Sequence, residues 1–340
     1  MTHPDRLTFI LHYHDPQAEL NRVYNLLFFP SDNSIEIHDP KLKRIFLRRI
    51  PFPSLSLNDF IIGNSVDIHS RQMKVADYGD SCTRDYLTAS QETITVVIPP
   101  SKFPSFGTII QSCLDANLRP TKLRCFSSSS CKSLDRLSSL SNEPSGVVCF
   151  FKLTGNDCLT KWATISSSFS LPPVDDFSTI EQVFQSVEYN PCPVDSENSS
   201  LLLIKPHCVK HQKWGDLIGD VMKNFAISTI GSFNFTREQA AEFLEVYRGV
   251  LNEYDGWCKD LSSGMVVACH IKGDDVMIVN QLRDWVGPVD PEIAKQLAPN
   301  SIRARYGKNR IFNAVHTTDL IDDGSLEVHY LFEFMWKYGN

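Results

Sequence analysis

The feature that most constrains the fold is a pattern of apolar segments that occurs twice in the same order. Each copy contains an apolar strand ending near proline, a helical segment, a Ser-Gly turn into a second strand, and a polar helical stretch with one tryptophan, Trp162 or Trp285. The matched pairs are TITVVIPP (93–100) with SLLLIKPH (200–207), FGTIIQSCLDANL (106–118) with IGDVMKNFAIS (218–228), and SGVVCFFK (145–152) with SGMVVACHIK (263–272). Such self-similarity indicates an internal duplication, and strands that alternate with helices indicate α/β or α+β units.

A different pattern precedes the duplication. Residues 1 to about 90 contain short runs rich in β-branched and aromatic residues, separated by turn formers such as DP and PSDNS. This pattern predicts a small antiparallel β domain with hairpin connections, and SDNS is the clearest hairpin loop. The predicted strand runs are RLTFILHYHD, RVYNLLFFP, SIEIHD, RIFLRRI and VDIHSRQMKVADYG. We therefore expect domains at 1–90, 91–196 and 197–340, with VDSENSS (194–200) as the linker between the copies.

Composition narrows the class of protein. A formal net charge of −7 argues against a protein built mainly to bind a nucleic-acid backbone by charge. No segment approaches the roughly 20 uncharged apolar residues of a membrane helix, and the start MTHPDRLTFILHYHDP is too polar for a signal peptide. We expect neither a nucleic-acid nor a membrane partner, and a location in the cytoplasm.

Two residue classes have ordinary interpretations. The ten cysteines are scattered and form no CxxC pair, so we interpret them as mostly reduced, buried apolar residues, with a disulfide or a zinc site as the less favoured alternative. The serine-rich segment FSSSSCKSLDRLSSLSNEPSG in the first copy is a solvated loop or a phosphorylation target, and the loop is favoured.

The second copy contains a set of groups suited to a triphosphate. Lys205, Arg283 and Arg303 are fixed cations that could neutralise phosphate oxygens, His316 could attack phosphorus in line, and the amide of Asn313 could bind sugar hydroxyls. Taken singly, each residue has a more common role, because a lone histidine is usually structural and a lone lysine or arginine usually lies at the surface. The hypothesis depends on their combination.

Three stretches of the second copy resemble a known family. LLLIKPHCVK, SIRARYG and RIFNAVHTTD are similar, in order and spacing, to the signature stretches of nucleoside diphosphate kinases. The resemblance implies a ferredoxin-like α+β fold and a histidine that takes phosphate from a nucleoside triphosphate and passes it to a diphosphate. It implies catalytic roles for His316, Glu327 and Thr318, with the glutamate orienting the histidine ring. It implies nucleotide binding by Lys205, Tyr247, Tyr254, Arg283, Arg303 and Asn313, Mg²⁺ arriving with the nucleotide, and no metal ligands in the chain.

The second copy departs from the family pattern at several positions. Thr317 replaces a glycine after the histidine, Val289 replaces a phosphate-binding threonine, and Arg310 replaces an apolar residue that covers one face of the base. Tyr254 is the best candidate for the opposite, stacking aromatic, and a core role for it is equally open. These departures favour nucleotide binding over efficient turnover.

The first copy departs further. It has Pro99 where the second has Lys205, and alignment of FSTIEQVFQSVEYNPCP with the later stretch places Glu181 at the arginine and roughly Pro193 at the histidine. Proline cannot accept phosphate and glutamate would repel it. We therefore expect this copy to be catalytically inactive and retained for packing.

The whole chain has a matching resemblance. HYHDPQAELNRVYNLLFFPSDNSIEIHD is similar to the DM-ten domain, and one such module before two kinase-like domains resembles an axonemal branch of the nucleoside diphosphate kinase family. The resemblance implies an α+β architecture with a small antiparallel β domain and two ferredoxin-like domains. It also implies a microtubule inner protein of ciliary and flagellar doublets, located in the cytoskeleton of the axoneme, with tubulin and other doublet proteins as partners.

Three hypotheses follow, in decreasing order of preference. The first is a structural component of the doublet lumen. The second is an active nucleoside diphosphate kinase whose C-terminal domain uses phospho-His316. The third is a protein that holds ATP or another nucleotide as a structural ligand. Fusion of two unlike copies also suggests a monomer with a built-in pseudo-dimer.

Overall fold

The computed structural model describes residues 4–15, 18–88, 91–128, 145–171, 183–184 and 197–338. These residues divide into two compact units. The first is Met1–Gln91 with Ser262–Gly264, and the second is Glu92–Leu261 with Met265–Asn340. Residues 129–144 of the serine-rich segment, Glu181, Pro193 and residues 194–196 of the expected linker lie outside the described residues, so the predictions for them stay predictions.

The first unit is a six-stranded antiparallel sheet, as the alternating runs predict. Along β2 the side chains of Tyr24, Leu26 and Phe28 are buried at every second position, which places them on the core face. The strand order is β4-β3-β2-β1-β6-β5. The strands are β1 (Leu7–Asp15), β2 (Leu20–Phe29), β3 (Ser34–Asp39), β4 (Arg44–Pro51), β5 (Ser65–Ile68) and β6 (Arg71–Tyr78), followed by helix α1 (Ser81–Thr88).

Turns in this unit explain one correct and one incorrect prediction of its strands. The hairpin at SDNS is confirmed, since Phe29 pairs with Ser34 across it. The run VDIHSRQMKVADYG is two strands rather than one, because His69 and Ser70 take φ values of 48° and 64° and reverse the chain. Two successive left-handed residues make the turn that hairpins favour.

The second unit is built on a seven-stranded sheet in the order β13-β10-β12-β11-β8-β9-β7. The N-terminal half of the sheet contains β8, β9 and β7, in that order outwards from the β8–β11 pair. The C-terminal half contains β11, β12, β10 and β13, again counted outwards. In both halves the second strand in the chain is innermost, the third follows it, and the first comes next. The strands are β7 (Gln91–Ile98), β8 (Arg119–Ser127), β9 (Val147–Asn156), β10 (Ser199–Ile204), β11 (Ala226–Asn234), β12 (Met265–Lys272) and β13 (Val315–Thr317).

Helices connect these strands, and the predicted helical stretches with Trp162 and Trp285 are confirmed. In the first half they are α2 (Phe106–Asp115) and α3 (Cys158–Ser168). In the second half they are α4 (Pro206–Lys210), α5 (Trp214–Asn224), α6 (Arg237–Phe243), α7 (Tyr254–Leu261), α8 (Ile278–Val286), α9 (Pro291–Leu297), α10 (Ile302–Tyr306) and α11 (Gly324–His329). A π-helical segment, Tyr330–Met335, continues α11 into α12 (Trp336–Tyr338). In this half the strands form a four-stranded antiparallel sheet in the ferredoxin-like order, fourth-first-third-second.

The helix predicted over residues 218–228 begins and ends earlier in the chain than expected. The segment IGDVMKNFAIS was expected to be helical throughout, but α5 begins at Trp214 and ends at Asn224, and the following residues belong to β11. The preceding segment KWGDL adds the buried side chains of Trp214 and Leu217 to those of Ile218 and Val221. Helix α5 therefore has 11 residues, close to the 10 residues of α2.

The two halves meet at a strand pair and a helix pair. In the sheet, Cys125 and Arg124 of β8 lie opposite Ile230 and Gly231 of β11. On one face, α2 crosses α5 closely enough that a Cβ built at Gly107 would lie 2.5 Å from the backbone nitrogen of Gly219. One apolar cluster contains buried side chains from both halves. The glycines let the helices approach, and the halves share one core.

Cysteine chemistry departs from expectation at one pair. Cys125 and Cys149 lie opposite each other on β8 and β9 and form a disulfide. Six other described cysteines are free thiols, five of them buried, as expected. Among the described residues no helix is long and apolar enough to cross a bilayer.

Gly215 and Gly219 offer a matched test of the helix crossing. A Cβ at Gly215 would lie 2.5 Å from the nitrogen of Gln111 in α2, whereas one at Gly219 meets nothing nearer than 4.0 Å. Gly215→Ala should lower the free energy of unfolding by about 1–3 kcal/mol, because the helices must separate. Gly219→Ala should raise it by up to about 1 kcal/mol through helix propensity. Urea unfolding of both variants checks this, and equal effects would contradict the close crossing.

Candidate functional site

His316 lies in the short strand β13 opposite Leu203 of β10, and 7% of its side chain is exposed. Its Nε2 is 3.0 Å from Oε1 of Glu327, which α11 brings beneath the ring. A Cβ at Gly324, where α11 begins, would lie 2.1 Å from the carbonyl oxygen of Ser199, so only glycine lets this helix approach β10 so closely. The strand therefore presents the ring, and the helix fixes one of its nitrogens.

Thr318 fixes the carboxylate in turn. Its hydroxyl accepts a hydrogen bond from the backbone N–H of Leu201 at 2.9 Å and donates to Oε2 of Glu327 at 2.8 Å. An ionised carboxylate only accepts, so His316 must donate from Nε2. This tautomer leaves the lone pair on Nδ1, which has no hydrogen bond to any residue in the described ranges.

A strained turn precedes the histidine. Ala314 has φ 73°, and the N–H of Val315 donates to the carbonyl of Asn313 at 3.0 Å. A three-residue turn with positive φ at its centre is a rare and strained form, and alanine gains nothing from it intrinsically. Two hydrogen bonds hold the backbone of Ala314 in this conformation. The carbonyl of Ala314 accepts from the N–H of Lys205 at 3.0 Å, and the N–H of Ala314 donates to Nε2 of His207 at 3.1 Å.

Arg303 lies beneath this turn and is buried. It donates from Nη1 to the carbonyl of Gly287 at 2.8 Å and from Nη2 to the carbonyl of Val315 at 3.3 Å. Its Nε is buried and has no hydrogen-bond partner in the part of the chain that the structure describes. Burial lowers the pKa of Arg303 to about 10, although nearby Asp319 opposes the shift. A guanidinium that remains charged in this position favours an anion beside it.

Asp319 joins two other predicted residues. Its carboxylate lies 3.3 Å from Nε of Arg283, and its carbonyl accepts from Nη1 of the same side chain at 2.8 Å. The hydroxyl of Tyr247 donates to the other carboxylate oxygen. Burial, helped by this carboxylate, raises the pKa of Tyr247, so the phenol keeps its proton. The Tyr247 ring meets the His316 ring edge-on, with centroids 6.4 Å apart.

Lys205 is a buried cation at the end of β10. Its Nζ donates to the carbonyl of Ile311 at 3.3 Å and lies 4.7 Å from the ring centroid of Trp257. Burial lowers the pKa of Lys205 to about 7, Asp260 opposes this shift and Arg303 adds to it. Burial therefore disfavours the charged form of this lysine, and an arriving anion would favour it again.

Asn313 and Tyr254 occupy different environments. The amide of Asn313 is buried, with Nδ2 3.4 Å from the carbonyl of Val289, and its Oδ1 has no hydrogen-bond partner within the described ranges. Tyr254 begins α7, and its hydroxyl donates to the carbonyl of Ala241 at 3.1 Å. It packs against the apolar cluster beneath the sheet and makes none of the described hydrogen bonds with the other predicted residues.

The structure thus brings the predicted residues together in three groups. His316, Glu327 and Thr318 are joined directly, Tyr247 and Arg283 are joined through Asp319, and Arg303 and Lys205 hold the backbone of the turn. Sequence reasoning missed Trp257, Asp319 and a buried pair in which Nδ1 of His207 lies 2.7 Å from Oδ2 of Asp260. His207 follows the Lys-Pro pair and Asp319 ends HTTD, so both stood inside the quoted motifs. No local signal marks Asp260, which is 53 residues from His207.

Comparison with known proteins agrees with this geometry. The sequence model of the family described as nucleoside diphosphate kinase matches residues 198–335. The nucleoside diphosphate kinase homolog 7 of Mus musculus is 32% identical over 372 residues, which cover 97% of this chain and 94% of that protein. The chain belongs to the nucleoside diphosphate kinase family. Its C-terminal part has the nucleoside diphosphate kinase fold, and its similarity to homolog 7 extends through the N-terminal unit.

Single-domain kinases match the C-terminal part alone. The nucleoside diphosphate kinase of Aquifex aeolicus is 32% identical over 134 residues, 39% of this chain and 92% of that protein. A crystal structure of that kinase is 31% identical to this chain, covering 40% of this chain and 95% of its own, with a TM-score of 0.38.

The lowered pKa of Lys205 predicts a pH-dependent stability. The unfolded lysine, with a pKa of 10.5, binds more protons than the folded one between that value and about 7, so its stability penalty falls as pH rises through this window. Lys205→Met should stabilise the fold at about pH 7, and the gain should shrink by about 3 kcal/mol by about pH 9.5. Urea unfolding at both pH values measures the difference.

The control for this prediction is Lys213→Met. Lys213 is 58% exposed beside Asp115, so its substitution should change stability equally at both pH values. A Lys205→Met gain that does not depend on pH would show that the lysine keeps its ordinary pKa.

Proposed function

We propose that the C-terminal domain binds a nucleoside di- or triphosphate and carries its terminal phosphate on His316. The observation that carries this proposal is the fixed tautomer of His316, whose Nε2 donates to Glu327 and whose Nδ1 lone pair is unused. A histidine nucleophile needs one nitrogen held by an acceptor and the other free to attack.

The surroundings of His316 fit a phosphate group. Lys205, Arg283 and Arg303 supply positive charge, and the hydroxyl of Tyr247 supplies a neutral donor. Nε of Arg303 and Oδ1 of Asn313 are buried and have no hydrogen-bond partner among the described residues, a costly condition that a bound polar ligand would relieve. A phosphate oxygen suits the arginine, and a sugar hydroxyl suits the amide.

The chemistry that follows conserves atoms and charge. A bond forms between Nδ1 of His316 and the γ-phosphorus while the bond from that phosphorus to the bridging oxygen breaks, and a nucleoside diphosphate leaves. An oxygen of a second diphosphate then attacks the same phosphorus, and the N–P bond breaks. Glu327 stabilises the positive charge on the phosphorylated ring, and the cations stabilise charge on the phosphate oxygens.

Mg²⁺ would arrive as the nucleotide complex and neutralise phosphate oxygens. Within the described ranges no group of three or more His, Cys, Asp or Glu residues could hold a metal by itself. The carboxylates nearest His316 are already bonded, Glu327 to Thr318 and Asp319 to Arg283. Such a site fits a metal held mainly by phosphates, which is common for Mg²⁺.

Labelling tests the nucleophile. Full-length protein incubated with Mg²⁺ and ATP labelled in its γ-phosphate should acquire an acid-labile, alkali-stable label that added GDP removes. His316→Ala should abolish the label and leave the fold intact, since a single side chain seldom carries a domain's whole stability.

The control is His329→Ala. His329 is a second histidine near a glutamate, 3.6 Å from Glu333, and it is 40% exposed. Its loss should leave labelling unchanged. A folded wild-type protein that takes no label would reject phosphate transfer at His316.

A second proposed function concerns the rest of the chain. We propose that the protein is also a structural component of ciliary and flagellar doublet microtubules, an inner protein that binds tubulin and neighbouring doublet proteins, with the N-terminal unit as a DM-ten domain. The sequence resemblance placed this function first. The hydrogen-bonded histidine now supports the nucleotide function more directly.

The first half of the seven-stranded sheet supports a structural role. We propose that it is a second nucleoside diphosphate kinase-type domain without catalysis, so that the chain forms an internal pseudo-dimer. It repeats the strand order of the second half. It has Pro99 after β7 where Lys205 follows β10. Its core is nevertheless intact, with Phe151 packed edge-on against Phe106 and Trp162.

Fractionation of cilia tests the structural function. Tagged full-length protein should remain with salt-washed doublets, and His316→Ala should remain to the same extent, because the nucleophile plays no part in anchoring. Removal of residues 1–90 should release the protein. Wild-type protein found only in the soluble fraction would reject the doublet function and leave the kinase function to the labelling experiment.

A further inference from the structure

His207 is buried under the turn that precedes His316. It belongs to α4, with its ring edge-on to Phe312 at a centroid distance of 5.2 Å. Its two ring nitrogens have different partners, the N–H of Ala314 at 3.1 Å from Nε2 and Oδ2 of Asp260 at 2.7 Å from Nδ1. The ring therefore bridges α7 and the backbone just before β13.

These partners fix the protonation of the ring. A backbone N–H can only donate, so Nε2 of His207 must be unprotonated to accept from Ala314. The proton then lies on Nδ1 and is donated to Asp260. Asp260 is 3% exposed, and its second oxygen has no hydrogen bond within the described chain. The carboxylate thus selects the one neutral tautomer that can hold the Ala314 N–H.

The bond from Ala314 is important because its backbone is strained. A positive φ for alanine is a strained backbone conformation that persists only where surrounding contacts impose it. The carbonyl of Ala314 is held by the N–H of Lys205, and its N–H is held by His207. Without His207 the buried N–H would lose its partner, and the turn could relax toward ordinary extended backbone. His316 is two residues away and would move with it.

We propose that His207, oriented by Asp260, is a positioning residue that sets the location of His316 in the active site. The proposal rests on phosphate transfer at His316 and identifies what holds the nucleophile in place. His207 acts through the backbone of Ala314 and touches neither nucleotide nor phosphate. Glu327 fixes the His316 ring from one side, and His207 fixes the chain from which that ring projects.

The first test measures the tautomer and needs no activity. Long-range ¹H–¹⁵N spectra of full-length protein with ¹⁵N-labelled histidine, assigned with His207→Gln, should show His207 protonated at Nδ1 and bare at Nε2. Asp260→Asn should shift this equilibrium, because an amide can either donate or accept. A wild-type ring protonated at Nε2, or doubly protonated at neutral pH, would overturn the proposal.

The second test compares rates of His316 phosphorylation in a single turnover. His207→Leu should slow the reaction on the order of 10²-fold, since a displacement near 1 Å has such an effect, while nucleotide affinity changes far less. His207→Gln should recover much of the rate, because its amide oxygen can accept the Ala314 N–H. A merely structural histidine would lower rate and affinity together, without recovery by glutamine.

His270→Leu is the matched control. His270 is also buried, with its ring nitrogens 2.7 Å and 2.6 Å from the hydroxyls of Ser199 and Ser228. It pairs with Leu201 of β10, whereas Val315, the residue after Ala314, pairs with Ile204. Its substitution should destabilise the sheet comparably and leave the rate within about threefold. Equal slowing in both variants, or a wild-type rate in His207→Leu, would overturn positioning. If wild-type protein takes no label, transfer fails, and the tautomer measurement alone decides whether His207 holds the turn.

Discussion

The pairing of β8 with β11 is the contact on which the second unit depends. It joins two half-sheets into one, and each half would otherwise present an open edge of N–H and C=O groups to solvent. The crossing of α2 and α5, with glycine at each close approach, covers the same junction. Buried side chains from both halves form one apolar cluster, while a second cluster is made by the C-terminal half alone. The position of β10, and with it the candidate site, rests on this shared core.

The contacts around the site hold the strained backbone at Ala314 in place. Strand β13 is short, and β10 supports it along one edge only. The histidine is nevertheless held from three directions, by the carboxylate of Glu327, by the strand pairing with Leu203, and by the hydrogen bonds around Ala314. Lys205 and Arg303 are buried and donate to carbonyls, so a charge on either side chain favours an anion beside it, whereas Arg283 is 44% exposed and paired with Asp319.

The elements that were predicted correctly from the sequence are those with a clear hydrophobic periodicity or a recognisable motif. The apolar strands β7, β9, β10 and β12, the helices with Trp162 and Trp285, and the β hairpin at SDNS were foreseen. The junction strands β8 and β11 were missed, because RPTKLRCFS and AISTIGSFN mix charged, polar and apolar residues without clear alternation. Their burial arises from contact with each other and with the helices, which no local window contains.

The residues of the candidate site also fall into those that motifs predicted and those that no local pattern could predict. Its nucleophile, its amide and two of its cations, Lys205 and Arg303, lay in the quoted motifs, and the structure gathers them around one turn. The buried pair of His207 and Asp260 could not be foreseen, since its members are 53 residues apart and each has an ordinary local context. The disulfide of Cys125 with Cys149 was missed for the related reason that a pairing register, and not a spacing motif, places the two sulfurs together.

The junction between the halves also has a consequence for assembly. Two separate chains that met through such an edge would dissociate on dilution, and their pairing would depend on how much of each the cell made. Here the partner edge is tethered to the same chain, at an effective concentration set by the connecting segment. The first half needs to keep only β8, α2 and the core behind them to maintain the contact. Its remaining surface is free of that requirement and can diverge toward other uses.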